Sequence, residues 1–240
     1  DAYHATGVPL LEGYGLTESS PVITASTPRH ARRGSCGRPI PGVEVRIADD
    51  GEILTRGPHV MAGYYRDPSA TAAAIRHGWL ATGDLGHLDA DGFLFITGRK
   101  KEILVTSSGK NIAPVLLEGL LTQDPLITQA VIVGDGRSSL SALLVLSPER
   151  LVAELAACGL TGVPYEAALT LPQTRLLVRQ RIDRLLAGVS HHEQVRRFAL
   201  LPQPLSVEAG ELTPKLSLRR HAIYARYASL IEALYASEPD

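Results

Sequence analysis

Gly98-Arg99-Lys100-Lys101-Glu102 separates two kinds of chain. Before it, residues 24–97 carry turn chemistry at short intervals: Pro41-Gly42, Asp49-Asp50-Gly51, Arg56-Gly57-Pro58 and Asp89-Ala90-Asp91-Gly92. Turns that close together leave room only for short strands, so this part reads as a small β-rich unit. One helix is expected within it. Asp67-Pro68 offers a capping oxygen followed by a proline at the first helical position, ahead of residues 69–76. After the charged run, a strand over 102–106, a Ser107-Ser108-Gly109-Lys110 turn, a helix from near Pro114 and strands at 128–133 and 140–146 describe an α+β unit. Helix follows: Leu176, Leu177, Ile182, Leu185 and Leu186 recur at helical spacing, and 220–236 reads as an amphipathic terminal helix. The fold class is therefore α+β, in three stretches: 1–23, a β-rich subdomain over 24–98, and an α+β domain over 99–240.

Composition narrows the function. The chain's 240 residues hold 24 basic and 25 acidic side chains, scattered rather than clustered, so neither a nucleic-acid footprint nor a polybasic membrane patch is present. Small-molecule chemistry is the better expectation. The longest apolar run, Leu140–Leu146, is far too short to span a bilayer and reads as a buried strand of a soluble unit. Cys36 and Cys158 lie far apart without metal-like spacing, as expected of reduced thiols in a cytoplasmic protein. His191-His192 sits beside a helix end, where imidazolium suits the helix dipole, and the sequence offers that pair no further metal ligands.

Four segments carry chemistry. Tyr14-Gly15-Leu16-Thr17-Glu18 follows the apolar Val8-Pro9-Leu10-Leu11, which reads as a core strand running into a turn. Thr82-Gly83-Asp84 lies between Gly78-Trp79-Leu80 and Leu85-Gly86-His87. The third is the charged run itself, and the fourth is Gly210-Glu211-Leu212-Thr213-Pro214-Lys215-Leu216-Ser217-Leu218-Arg219-Arg220. Each alone has an ordinary explanation: an aromatic at a strand end, an Asx-turn, solvated charges at a domain boundary, a surface lysine. Two further glycine-rich stretches are read as architecture. Gly34-Ser35-Cys36-Gly37-Arg38-Pro39 lacks the Lys-Ser/Thr and the helix of a phosphate loop. Residues 57–65, Gly57-Pro58-His59-Val60-Met61-Ala62-Gly63-Tyr64-Tyr65, are assigned the same way.

In their order and separation the four segments resemble the C-terminal portion of AMP-forming acyl-CoA synthetases, in the adenylate-forming superfamily that includes luciferases and peptide-synthetase adenylation domains. The resemblance covers almost the whole chain. It implies a distorted-barrel subdomain followed by a mobile C-terminal domain, with upstream parts of the nucleotide pocket outside this sequence. It implies that Tyr14 lies against adenine, Gly15 lines the pocket, Thr17 reaches the α-phosphate and Glu18 holds Mg²⁺. The residue types suit these tasks: an aromatic face stacks on a purine, and a hard cation takes carboxylate oxygen. Asp84 would accept both ribose hydroxyls, since a carboxylate has two acceptor oxygens for a vicinal diol. Arg99 would contact ribose or phosphate, and Lys101 would be the hinge between an adenylate-forming and a thioester-forming pose. Gly109 would let the pantetheine arm of coenzyme A pass close to backbone.

The tail departs from the family pattern Thr-Pro-x-Leu-Lys-Leu. Aligned on Thr213-Pro214, the catalytic lysine position holds Ser217, and a lysine stands two residues earlier at Lys215. In an extended segment residues two apart share a face, which would let Lys215 substitute. The length of the helical region after Pro148 and the Phe198-Ala199-Leu200-Leu201-Pro202 segment resemble the long-chain fatty-acid branch. The implied reaction converts a fatty acid and ATP to acyl-AMP and then, with coenzyme A, to acyl-CoA. Peripheral membrane association of a full-length enzyme stays open. A non-catalytic module derived from such an enzyme and a peptide-synthetase adenylation domain remain alternatives. The isolated chain is expected to be inactive.

Overall fold

The computed structural model describes residues 7–236 and divides into two compact units, Asp1–Glu102 and Ile103–Asp240. The division falls after the charged run rather than at 98/99.

In the first unit, β1 (Gly13–Tyr14), β2 (Thr24–Ala25) and β3 (Arg38–Pro39) form a small antiparallel sheet. The sheet runs across position 23/24, so residues before it are built into the β unit. A second sheet is organised around the ten-residue β7 (Trp79–Leu88). On one path β4 (Glu44–Ile47) pairs with β5 (Glu52–Arg56), β5 with β7, and β7 with β6 (Ile75–Arg76); β8 (Leu94–Arg99) also pairs with β7. One strand serving three neighbours must bend, and the ladder slips between Glu52 and Leu54 and between Leu85 and Gly86. The result is a half-barrel whose core includes the fully buried Ile53, Leu80 and Leu94. Helix α1 (Pro68–Ala74) starts as expected, with Asp67 Oδ1 accepting the Ala70 N–H at 2.8 Å. It stops earlier than expected because Ile75 and Arg76 pair with Leu80 and Trp79.

The apolar segment ahead of Tyr14 is not a core strand. Val8, Leu10 and Leu11 are 53%, 54% and 42% exposed, and the strand begins only at Gly13.

The second unit opens with a hairpin of β9 (Leu104–Val105) and β10 (Asn111–Ile112), then α2 (Pro114–Leu121). Its sheet orders β11 (Ile127–Val133), β12 (Leu140–Leu146) and β13 (Val195–Leu200), antiparallel then parallel. Between β12 and β13 run α3 (Pro148–Ala157), α4 (Tyr165–Thr170) and α5 (Pro172–Leu185). Every residue of β12 is buried because both faces of the sheet are covered. Leu140, Ala142, Leu144 and Leu146 pack into one cluster with Leu151, Leu155, Val178 and Ile182; Leu143 and Val145 pack into the other with Ile223 and Ile231. Strand β13 ends the helical region expected after Pro148. The terminal helix is also two helices, α6 (Arg220–Arg226) and α7 (Ala228–Ala236), parted at Tyr227, whose hydroxyl donates to Glu211 Oε1 at 3.0 Å. Both cysteines are free, and no described helix is long and apolar enough to cross a membrane.

Candidate functional site

The antiparallel register of β7 and β8 sets Asp84 directly opposite Arg99. Arg99 Nε lies 3.1 Å from Asp84 Oδ1, and the Tyr14 hydroxyl donates to Asp84 Oδ2 at 2.7 Å. Three residues from three distant segments therefore meet at one carboxylate, which is only 6% exposed. Burial pushes the Tyr14 phenol far above its ordinary pKa, and the neighbouring Asp84 carboxylate adds to that. Tyr14 consequently stays protonated and donates.

The local backbone is tied down around this carboxylate. Thr82 Oγ1 donates to the Ile53 carbonyl at 2.8 Å and accepts the Asp84 N–H at 3.2 Å. Gly83 N–H donates to Glu52 Oε1 at 2.9 Å. Glu52 Oε2 takes Lys100 Nζ at 2.8 Å, and Asp50 Oδ2 takes the same ammonium at 2.6 Å. The hydrogen bonds it donates to Asp50 and Glu52 hold the Lys100 ammonium above its usual pKa. The adjacent Lys101 is exposed and makes no hydrogen bond or ion pair among the described residues.

Thr17 and Glu18 follow Tyr14 on a single 3₁₀ turn, Thr17–Ser19. Glu18 Oε1 accepts the Tyr64 hydroxyl at 3.1 Å, and the Glu18 carbonyl accepts the Met61 N–H at 2.9 Å. The 57–65 segment, read from sequence as architecture, thus reaches the site through Tyr64. No spacing rule could have shown this, because the contact joins residues 46 apart. Gly15 has a purely steric reason to be glycine: an added Cβ would lie 1.7 Å from the Pro21 carbonyl oxygen. The Gly34–Gly37 loop spends its amides internally, with Cys36 N–H on the Leu94 carbonyl at 2.9 Å and Gly37 N–H on Ser35 Oγ at 2.9 Å.

The remaining predicted residues belong to the second unit. Gly109 turns the β9–β10 hairpin at φ +75°, with open space where a Cβ would project, and its N–H donates to the Thr106 carbonyl at 2.8 Å. The tail segment is not extended at Lys215. Leu216 N–H donates to the Thr213 carbonyl at 2.8 Å, Thr213 N–H to the Ser217 carbonyl at 2.9 Å, and Leu212 bridges Leu218. Residues 213–217 form a tight turn with Lys215 near its apex and Leu216 in the left-handed region at φ 61°. Lys215 and Ser217 are both exposed, and the shared-face argument for substitution fails, because a turn does not alternate as a strand does. Among the described residues no group of three or more His, Cys, Asp or Glu could hold a metal. A single carboxylate such as Glu18 suits Mg²⁺ arriving with substrate phosphates, which needs only one or two protein carboxylates.

A half-barrel followed by an α+β unit is the fold of adenylate-forming enzyme domains. Residues 101–239 match the AMP-binding enzyme C-terminal domain and residues 1–65 match AMP-binding enzyme, and the chain belongs to that family. It is 42% identical over 237 residues to the long-chain-fatty-acid–CoA ligase FadD15 of Mycobacterium bovis, covering 98% of this chain and 40% of that relative. The chain thus spans about two-fifths of the length of the relative it matches. Among solved structures, O-succinylbenzoate coenzyme A synthetase from Bacillus subtilis in complex with ATP and magnesium ion superposes with a TM-score of 0.67 at 26% identity, over 91% of this chain and 42% of that one. The adenylation domain of the carboxylate reductase from Mycobacterium chelonae superposes with a TM-score of 0.75 at 24% identity, over 98% of this chain and 36% of that one, a likeness of fold.

Proposed function

We propose that this chain is the C-terminal part of an AMP-forming acyl-CoA synthetase acting on a long-chain fatty acid. The observation that carries the reading is the convergence of Tyr14 and Arg99 on the buried Asp84. In it, Asp84 accepts the ribose hydroxyls, Arg99 sets the carboxylate and meets ribose or phosphate, and the Tyr14 ring covers the purine. Thr17 and Glu18 face the α-phosphate and its Mg²⁺, which would supply charge neutralisation on the phosphate oxygens. A carboxylate oxygen of the fatty acid attacks the α-phosphorus and pyrophosphate leaves. The coenzyme A thiolate then attacks the acyl carbonyl of acyl-AMP and AMP leaves. This chain's share of the work is positioning and charge stabilisation. Lys101 is the hinge between the poses for the two steps, Gly109 flanks the pantetheine path, and the setting is cytoplasmic.

The test is fatty-acid-dependent ATP–pyrophosphate exchange and acyl-CoA formation by the full-length reading frame. Exchange that requires fatty acid supports the proposal; its absence, together with no conversion of supplied acyl-AMP, overturns it. A non-catalytic module is the second reading, favoured by Ser217 at the lysine position.

A further inference from the structure

The open edge of β13 lies in a groove of about 850 Å³ in the second unit, between α5 and α7. Its wall is apolar: Leu176 and Leu230 at the mouth are 60% and 37% exposed, with Leu234 and Leu200 deeper. Its rim is cationic. Arg175, Arg179, Arg196 and Arg197 all line the groove, and among the described residues no acidic side chain does.

These arginines are not equivalent. Arg179 is engaged, with Nη1 on the Val195 carbonyl at 2.8 Å and on the Arg196 carbonyl at 3.3 Å, and Nη2 on Asp183 at 2.5 Å. It occupies carbonyls where an added strand would enter the sheet edge, which argues against an extended peptide as the occupant. Arg175 lies over the Phe198 ring at 5.2 Å, and Arg196 meets only the His191 ring, at 2.6 Å. Neither has a carboxylate partner among the described residues. Two guanidinium groups therefore line the same groove as exposed leucines, within the size range of small-molecule sites.

We propose that this groove binds a single-chain anionic amphiphile: an acyl chain against Leu176, Leu230 and Leu234, and a carboxylate head on Arg175 and Arg196. A guanidinium fork matches a carboxylate, and the Arg175 side chain already lies over the Phe198 ring. Concavity favours one inserted chain over a flat bilayer. The site shares no residue with the Tyr14–Asp84–Arg99 cluster and requires no catalysis, so it stands or falls independently of the synthetase reading.

The test titrates the whole 240-residue chain, methyl-labelled at leucine, with dodecanoate, dodecanol and dodecyltrimethylammonium below their micellar concentrations. Dodecanoate is expected to bind once per chain and to shift the Leu176, Leu230 and Leu234 methyl signals. Dodecanol and the trimethylammonium should bind at least tenfold more weakly. Arg175→Ala with Arg196→Ala should weaken dodecanoate about tenfold while leaving dodecanol unchanged, and Leu176→Glu, at an exposed position, should block all three. The proposal is overturned by equal affinity for the three head groups, by methyl shifts elsewhere only, or by an undiminished Kd in the arginine variant. Binding to phosphatidylglycerol vesicles without binding of monomeric dodecanoate would also overturn it, in favour of a membrane surface.

Discussion

Arg220 grips Glu118 with both arms of its guanidinium, Nη1 to Oε1 at 2.6 Å and Nη2 to Oε2 at 2.7 Å, across 102 residues of sequence. Glu118 Oε1 also accepts the Ile132 N–H at 2.8 Å, so one carboxylate joins α2, β11 and α6. Burial opposes the Arg220 charge, yet the Glu118 carboxylate outweighs it and holds the guanidinium above its usual pKa. Glu118→Ala, which leaves that charge uncompensated, is expected to cost about 3–5 kcal/mol. Urea unfolding followed by circular dichroism measures it. Glu118→Leu combined with Arg220→Met should recover most of the loss, because the cost is that of an orphaned charge rather than of a missing bond.

Asp84 and Tyr14 should separate cleanly in nucleotide binding. Asp84→Ala removes the acceptor proposed for the ribose hydroxyls and is expected to weaken AMP binding by the full-length protein by about ten- to a hundred-fold, the worth of ~1.5–3 kcal/mol for hydrogen bonds to a charged group. Tyr14→Phe keeps the ring for the purine and removes only the hydroxyl on Asp84, so a change below about threefold is expected. Equilibrium dialysis with labelled AMP decides between them. A larger loss for Tyr14→Phe than for Asp84→Ala would reverse the assignment.

Ser217 makes the sharpest kinetic prediction. Because Lys215 sits at the apex of a turn, it is not expected to replace a lysine at position 217. The full-length enzyme should form adenylate slowly yet convert supplied acyl-AMP to acyl-CoA. Ser217→Lys should speed pyrophosphate exchange by about ten- to a hundred-fold, the rate equivalent of ~1.5–3 kcal/mol, and Lys215→Ala should leave it nearly unchanged. Abolition of exchange by Lys215→Ala would show that the turn opens to deliver that lysine.

Asp124 predicts the acid limit of the second unit. Its burial raises the carboxyl pKa, but the Leu126 N–H at 3.0 Å and Arg181 at 2.9 Å more than offset this and hold it below the usual carboxylate value. A folded pKa below the unfolded one means stability that is complete above about pH 4 and lost as pH falls through the folded value. Thermal melts between about pH 5 and pH 2 should show a falling Tm. Asp124→Asn should start lower and fall less steeply over that window.

The candidate site residues were legible only through the resemblance of their motifs, but the meeting of two of them has a local cause. The Asp89-Ala90-Asp91-Gly92 turn doubles β7 back on β8, and that fold alone sets Asp84 beside Arg99. Strand β12 declared itself through seven consecutive residues buried on alternate faces. What stayed hidden depends on partners far along the chain. Val-Arg-Arg-Phe-Ala-Leu has no clean alternation, and it becomes a strand because Leu140–Leu146 offers it a parallel ladder. The link from Tyr64 to Glu18 has no local signal at all. The tail left two readings, an extended segment that presents Lys215 or a surface lysine, and the backbone bonds across Thr213 and Ser217 close it into a turn that leaves Lys215 on the surface.

The Tyr14–Asp84–Arg99 cluster lies wholly within the first unit, and the turns bearing Gly109 and Ser217 lie wholly within the second. Custody of a nucleoside would then rest with one body whatever the other is doing. On the reading proposed above, an acyl-adenylate held there by its purine and ribose need not be let go between the two chemical steps.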